Sequence, residues 1–166
     1  SDVTRFVMLT RKNDAPLDFD FEKVQEQSKD NPVFYVQYAH ARVHSVLRKA
    51  KEAGIDVSIP TLAATDLSNL SHEAEVNVAK KLAEWPRLAE IAARTHEPHR
   101  VAFYLYELAS DFHSLWNRGN DEVSLRFLQD GDAATSQAKI ALAQAVAVVI
   151  SAGLGILGVK PAEEMR

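Results

Sequence analysis

The sequence predicts an all-α fold, a bundle of five to seven helices, and three observations carry that prediction. Apolar residues recur at i, i+3, i+4 spacing through most of the chain, which places them on one face of a 3.6-residue helix. Only six glycines and six prolines interrupt 166 residues. No segment shows the strict alternation of a half-buried strand. A chain of this length favours one domain and can bury a core without staples.

The elements follow in order. Asp2 to Leu9 is a short apolar-polar segment, and Asn13-Asp14-Ala15-Pro16 reads as a turn. Asp18 or Asp20 can cap a helix running to about Ser28, because a short side-chain acceptor satisfies orphan backbone N–H groups. Asn31-Pro32 restarts the chain, with Pro32 suited to a first helical turn. From there Val33, Val36, Ala39, Val43, Val46 and Leu47 predict a helix to Ala53, stopped by Gly54. Residues 55–69 read as irregular around Pro60. Ser71 is the expected N-cap of a helix to about Glu84, its first turn favoured by Glu73 and Glu75. Trp85-Pro86 is expected to open a separate helix to Thr95. Pro98 opens the next, with Val101, Leu105, Leu108, Phe112 and Leu115 as its stripe. Asn117 to Asp132 is polar and broken, with room for a short helix over 124–128. A last helix spans about Ala133 to Leu154.

Composition excludes several classes of function. There is no cysteine, hence no disulfide framework, thiolate nucleophile or cysteine-bearing zinc site. A net charge of −4 is far from the basic balance of a generic nucleic-acid binder, so any such contact must come from a local patch. The chain starts at Ser1 with no signal peptide, which reads as a processed protein or a fragment.

Several signals imitate chemistry. Gly153-Leu154-Gly155-Ile156-Leu157-Gly158 matches the dinucleotide fingerprint G-x-G-x-x-G, but that loop must join a strand to a helix N-terminus, and here it ends a helix. Glycines that stop the helix and allow close packing explain it better. Ile140 to Val159 carries no charge over a membrane-length stretch, yet half its residues are Ala, Gly, Ser or Gln; a core helix is the better reading, and no membrane is expected. His40 and His44 share a helix face without the Glu of H-E-x-x-H or a third ligand, so a packed His40 is expected and no metal. Asp111/His113 and Ser110/Ser114 are too close along one helix to form a triad. No catalytic residue is assigned.

One patch survives. From Asn31 to Lys51 there is no acid, while Arg42, Arg48, Lys49 and Lys51 are basic and Tyr35, Gln37, Tyr38 and His40 lie among them. Cations for phosphates beside planar side chains for unstacked bases suit single-stranded RNA loops. A solvated face with core aromatics is the bland alternative. Arg42 and Lys49, two turns apart, share a face, and Arg48 lies about 120° away. Arg42 is expected either to contact phosphates or to brace two helices by pairing an acid such as Asp111. A second aromatic-polar cluster comprises Tyr104, Phe112, His113, Trp116, Asn117 and Arg118.

The run Lys29-Asp30-Asn31-Pro32-Val33-Phe34-Tyr35-Val36-Gln37-Tyr38-Ala39-His40-Ala41-Arg42 resembles the bacterial arginyl-tRNA synthetases, where it lies at the junction of the catalytic domain and the helical anticodon-binding, or DALR, domain. Asp2-Val3-Thr4-Arg5-Phe6 and Arg11 to Asp20 resemble the stretch after the family's Lys-Met-Ser-Lys loop. Pro98-His99-Arg100, Tyr104-Leu105, Leu108-Ala109 and Phe112-His113 resemble its long central helix. Gly155 to Val159 with Pro161 and Met165 resembles its C-terminal tail, though Arg166 follows Met165 here.

The resemblance implies that residues 1–30 end the catalytic domain and 31–166 form the anticodon-binding domain. It implies a parent enzyme that ligates arginine to its tRNA in the cytoplasm, using ATP with magnesium, its catalytic motifs lying in cis upstream of Ser1. This piece, without a cofactor of its own and as a monomer, would bind the anticodon arm of arginine tRNA and would not itself be catalytic. Tyr38, Arg42, Lys49, Trp116, Asn117, Arg118 and Met165 are the implied tRNA-binding residues, with Tyr38 and Met165 equally able to be core. The rival is a helical bundle that docks a protein partner without binding RNA.

Overall fold

In a computed structural model, residues 2–10 and 31–165 are described, and all regular structure among them is helical. The expected turn at 13–16, the helix capped by Asp18 or Asp20, and Arg166 lie outside the described residues.

The segment Asp2–Leu9 is a helix (α1) that buries Phe6. The long helix α2, Pro32–Glu52, starts where Asn31 accepts hydrogen bonds from the Val33 and Phe34 amides at 3.1 and 3.4 Å. It buries Val33, Val36, Ala39, Val43, Val46 and Ala50. It ends at Gly54, whose φ of 80° admits glycine without strain.

Several expected boundaries are corrected. Residues 59–63, read as irregular, form a short helix (α3, Ile59–Ala63) anchored by buried Leu62. Asp56 organises its entry, accepting from the Ser58 amide at 2.9 Å and the Thr61 hydroxyl at 2.6 Å. The helix after it, α4, is capped by His72 rather than Ser71. The His72 ring accepts from the Ala74 amide, and the Glu75 carboxylate accepts from the His72 amide. It then runs unbroken over Glu73–Thr95, through Pro86. The ring of Pro86 is exposed, and the apolar positions Val78, Leu82, Trp85 and Ala92 continue in register across it. Burial of that stripe outweighs one lost backbone hydrogen bond.

Helix α5 spans His99–Asp121, five residues past Trp116 into the segment read as broken. Gly119 is buried there, with the Leu125 carbonyl 3.4 Å from where a Cβ would stand. A 3-10 turn at Val123–Leu125 replaces the short helix expected over 124–128.

The final helix α6, Ala133–Ile156, packs on α2, α3, α4 and α5 and is the axis of the bundle. It is long and apolar enough to cross a bilayer, yet Ile140, Ala143, Val146, Ile150 and Leu154 are fully or almost fully buried in the core. Gly153 lets α6 approach α5, since a Cβ there would stand 2.7 Å from Leu105. Gly158, φ 67°, turns the chain out of the helix. The G-x-G-x-x-G signal is therefore a helix end. Each fully buried Leu, Ile or Phe contributes about 1.5–3 kcal/mol, so this shared core holds the elements together.

Candidate functional site

The site forms where α2, the second half of α5 and the C-terminal tail meet. Tyr38, Arg42, Ser45 and Lys49 recur at three- and four-residue spacing along α2, and His113, Trp116 and Asn120 do so along α5. The Arg42 guanidinium carbon lies 4.3 Å from the Tyr38 ring centroid and 5.0 Å from that of Trp116. Its Nη1 donates to His113 Nδ1 at 2.8 Å.

The other ring nitrogen of His113, Nε2, lies 3.1 Å from the Tyr35 carbonyl. A carbonyl only accepts and a guanidinium only donates, so His113 must be the neutral tautomer with its hydrogen on Nε2. Burial pushes the His113 pKa down to about 4; the Tyr35 carbonyl opposes that shift and the Arg42 charge adds to it.

The tail is strapped across α2. Gln37 donates to the Lys160 carbonyl at 2.9 Å, and His40 Nδ1 donates to the Ala162 carbonyl at 2.7 Å. Arg48 pairs with Glu164 at 3.6 Å, a half-exposed pair that guides more than it stabilises. Arg5 on α1 also donates to the Gly158 carbonyl. Met165 is thereby set at one wall of a cleft of about 470 Å³, shared with Tyr38, Arg42, Ser45, Arg48, Trp116 and Glu164. A second cleft of about 260 Å³ opens on the other side of Trp116, bordered by Lys49, Asn120, Arg126 and Leu128.

Tyr38, Arg42, Trp116 and Met165 are thus brought together, and Lys49 borders the adjoining cleft. Tyr38 is 37% exposed, so its ring is open to a ligand. Asn117 and Arg118 are exposed but border neither cleft, because the one and two residues after Trp116 rotate about 100° and 200° away from its face.

Two further expectations are corrected. Tyr104 does not join the aromatic-polar cluster; it is buried against Trp85, donates to the Lys81 carbonyl at 2.6 Å, and burial raises its pKa. Asp111 does not pair with Arg42; burial raises its pKa, against the opposing charge of Lys81. The rings of His40 and His44 lie 4.5 Å apart, tilted by 40°, and no cluster that could hold a metal occurs among the described residues.

The sequence placed His113 in the aromatic-polar cluster without assigning it to the site, and gave no role to Asn120, Arg126 and Glu164. His113 and Asn120 carried a usable signal, three residues before and four after Trp116. Arg126 and Glu164 carried none, since a turn and a tail deliver them.

The DALR anticodon binding domain family matches residues 36–165. The whole chain is 78% identical to part of an arginine–tRNA ligase of Ruegeria pomeroyi and 75% identical to part of one from Cereibacter sphaeroides. It spans 29% and 28% of their lengths. Among solved structures, a putative arginyl-tRNA synthetase from Campylobacter jejuni superposes with a TM-score of 0.83 at 27% identity, over 99% of this chain and 33% of that one. The Thermus thermophilus arginyl-tRNA synthetase does so with a TM-score of 0.77 at 26% identity, over 99% of this chain and 26% of that one.

Proposed function

The chain belongs to the DALR anticodon-binding domain family, and from that premise we propose that it grips the anticodon arm of arginine tRNA on behalf of an arginine–tRNA ligase. The observation that carries the reading is the cleft formed by Tyr38, Arg42, Trp116 and Met165, where aromatic rings and cations converge on a protein of net charge −4. Aromatic faces and an ordered guanidinium suit splayed loop bases, and Arg48 and Lys49 at the rims suit phosphates. Asn117 and Arg118, exposed on the face of α5 turned away from both clefts, are assigned to the flanking backbone.

In this reading residues 1–30 belong to the end of a catalytic domain and 31–166 to the anticodon-binding domain. ATP-dependent activation of arginine, with magnesium, belongs to the part of the ligase that this chain does not match, and the protein works as a cytoplasmic monomer. The division of labour is physical. One end of the tRNA is held by stacking and charge so that its other end is presented to chemistry elsewhere.

Binding of the chain to arginine tRNA across a series of salt concentrations tests the reading. Affinity should fall steeply with salt, and Lys49→Ala should flatten the log–log slope by roughly one unit while weakening all transfer RNAs alike. Salt-insensitive capture of a protein, with no tRNA binding, would instead support the docking bundle.

A further inference from the structure

Beyond α6 the chain forms no further helix, so local backbone bonding does not fix the path of residues 160–165. Val159 is buried at 3% exposure, and the residues after it lie on the surface or are half-buried. Side chains from two helices hold this tail. From α2, Gln37 and His40 donate to the Lys160 and Ala162 carbonyls, and Arg48 pairs with Glu164. From α1, Arg5 donates to the Gly158 carbonyl, and Asp2 accepts from the Lys160 amide at 3.2 Å. Asp2 and Arg5 are themselves an ion pair at 3.7 Å. These contacts close a ring through α1 and the backbone from Gly158 to Lys160. Gly158 is fitted to it: its φ is 67°, and a Cβ there would stand 3.2 Å from Arg5 Cδ. Lys160 is the joint, with its amide bound to α1 and its carbonyl to α2. No residue of α1 lines either cleft.

We infer that Asp2 and Arg5 are positioning residues for the C-terminal tail, so that RNA bound in the cleft is coupled to the order of α1. The link is the tail itself, which leaves α1 at Lys160 and carries Glu164 and Met165 to the cleft wall. Each contact is partly exposed and contributes little to stability alone. Their effect is on placement. A segment held in its bound position before the ligand arrives spares the binding step the cost of ordering it. By reciprocity, a ligand that needs the ordered tail must in turn order the helix that holds it. This inference rests on the anticodon reading above. It gives the segment assigned there to the end of the catalytic domain a physical connection to an occupied cleft.

The test pairs equilibrium binding of a synthetic RNA hairpin, the anticodon arm of arginine tRNA, with hydrogen exchange of the α1 amides. Asp2→Ala removes a negative charge, so electrostatics alone would tighten RNA binding. Loss of the Lys160 anchor should instead weaken it by roughly 2- to 12-fold, the usual net worth of one hydrogen bond. Asp2→Asn keeps an acceptor for the Lys160 amide and should restore most of the affinity. The hairpin should slow exchange of the α1 amides in the unmodified chain and not in Asp2→Ala. Gly158→Ala leaves every α1 side chain in place, and it should also weaken binding and abolish the slowing. Should Asp2→Ala unfold in a parallel thermal melt, Gly158→Ala decides alone. Slowing that persists in Gly158→Ala would put the RNA on α1 itself and overturn the coupling. Equal or tighter binding by Asp2→Ala overturns the inference and leaves the anticodon reading standing, whereas no hairpin binding by the unmodified chain removes both.

Discussion

His113 carries a stability consequence as well as a positional one. Its folded-state pKa of about 4 lies below the roughly 6.5 of an exposed histidine. Between those two values the unfolded chain binds more protons than the folded one, so stability falls as pH drops through that window and levels off below it. The full loss is about 3 kcal/mol. His44, lowered by burial and by the charges of His40 and Arg48 against the opposing Glu163, adds to the same trend. Thermal melts from pH 7.5 to pH 4.5 should show a steep fall in the unmodified chain and a shallower one in His113→Gln. Identical slopes would sink the assignment. The sequence shows that His113 and Trp116 share a helix face, but two chemically opposite partners, a carbonyl and a guanidinium, fix its protonation, and both come from α2.

Elements are decided by whether their apolar faces find cover. Pro86 reads as a boundary because proline removes a hydrogen bond, yet α4 continues because the stripe from Val78 to Ala92 stays in register. At the end of α6, two glycines of one motif have opposite roles. A Cβ on Gly153 would stand 2.7 and 2.9 Å from the methyl carbons of Leu105, itself fully buried, whereas a Cβ on Gly155 meets nothing within 4 Å. Gly153→Ala should therefore destabilise by about 1 kcal/mol, overpacking of about 1–3 kcal/mol being partly offset by better helix propensity. Gly155→Ala should stabilise by about 0.5–1 kcal/mol, because only the propensity term remains. Urea denaturation of the two variants measures both, and a shift of the same sign in each would contradict the packing account.

Across the whole molecule, α6 is held by one charged contact within its apolar surroundings. Lys139 on α6 donates to Glu75 on α4, with both side chains 4% exposed. Glu75 also accepts from the His72 amide at 3.2 Å, so the same carboxylate joins the start of α4 to the core helix. Removing one partner leaves a buried charge uncompensated. Lys139→Met should cost about 3–5 kcal/mol, and so should Glu75→Gln, while the double variant should lose clearly less than the sum. Strictly additive losses in a double-mutant cycle would show that the pair is uncoupled. This contact also separates α6 from a membrane span, since its one cation is spent inside the bundle.

What the sequence determined by itself is local and periodic. The 3.6-residue recurrence of Val33 to Ala50 and of Val101 to Leu115 makes long amphipathic helices, Asn31-Pro32 and Gly54 bound one of them, and the absence of cysteine removes whole classes of chemistry. Tyr38 and Arg42 were legible as a pair because one helical turn separates them. Tertiary structure alone decided that Trp116 closes over Arg42 from another helix, that Asn117 and Arg118 turn away, and that the tail delivers Glu164 and Met165 to the same cleft. The reason is range. Periodicity and capping act over a few residues of one chain segment, whereas a site shared by α2, α5 and the tail depends on how a common core sets the rotation of each helix, and no single segment encodes that rotation.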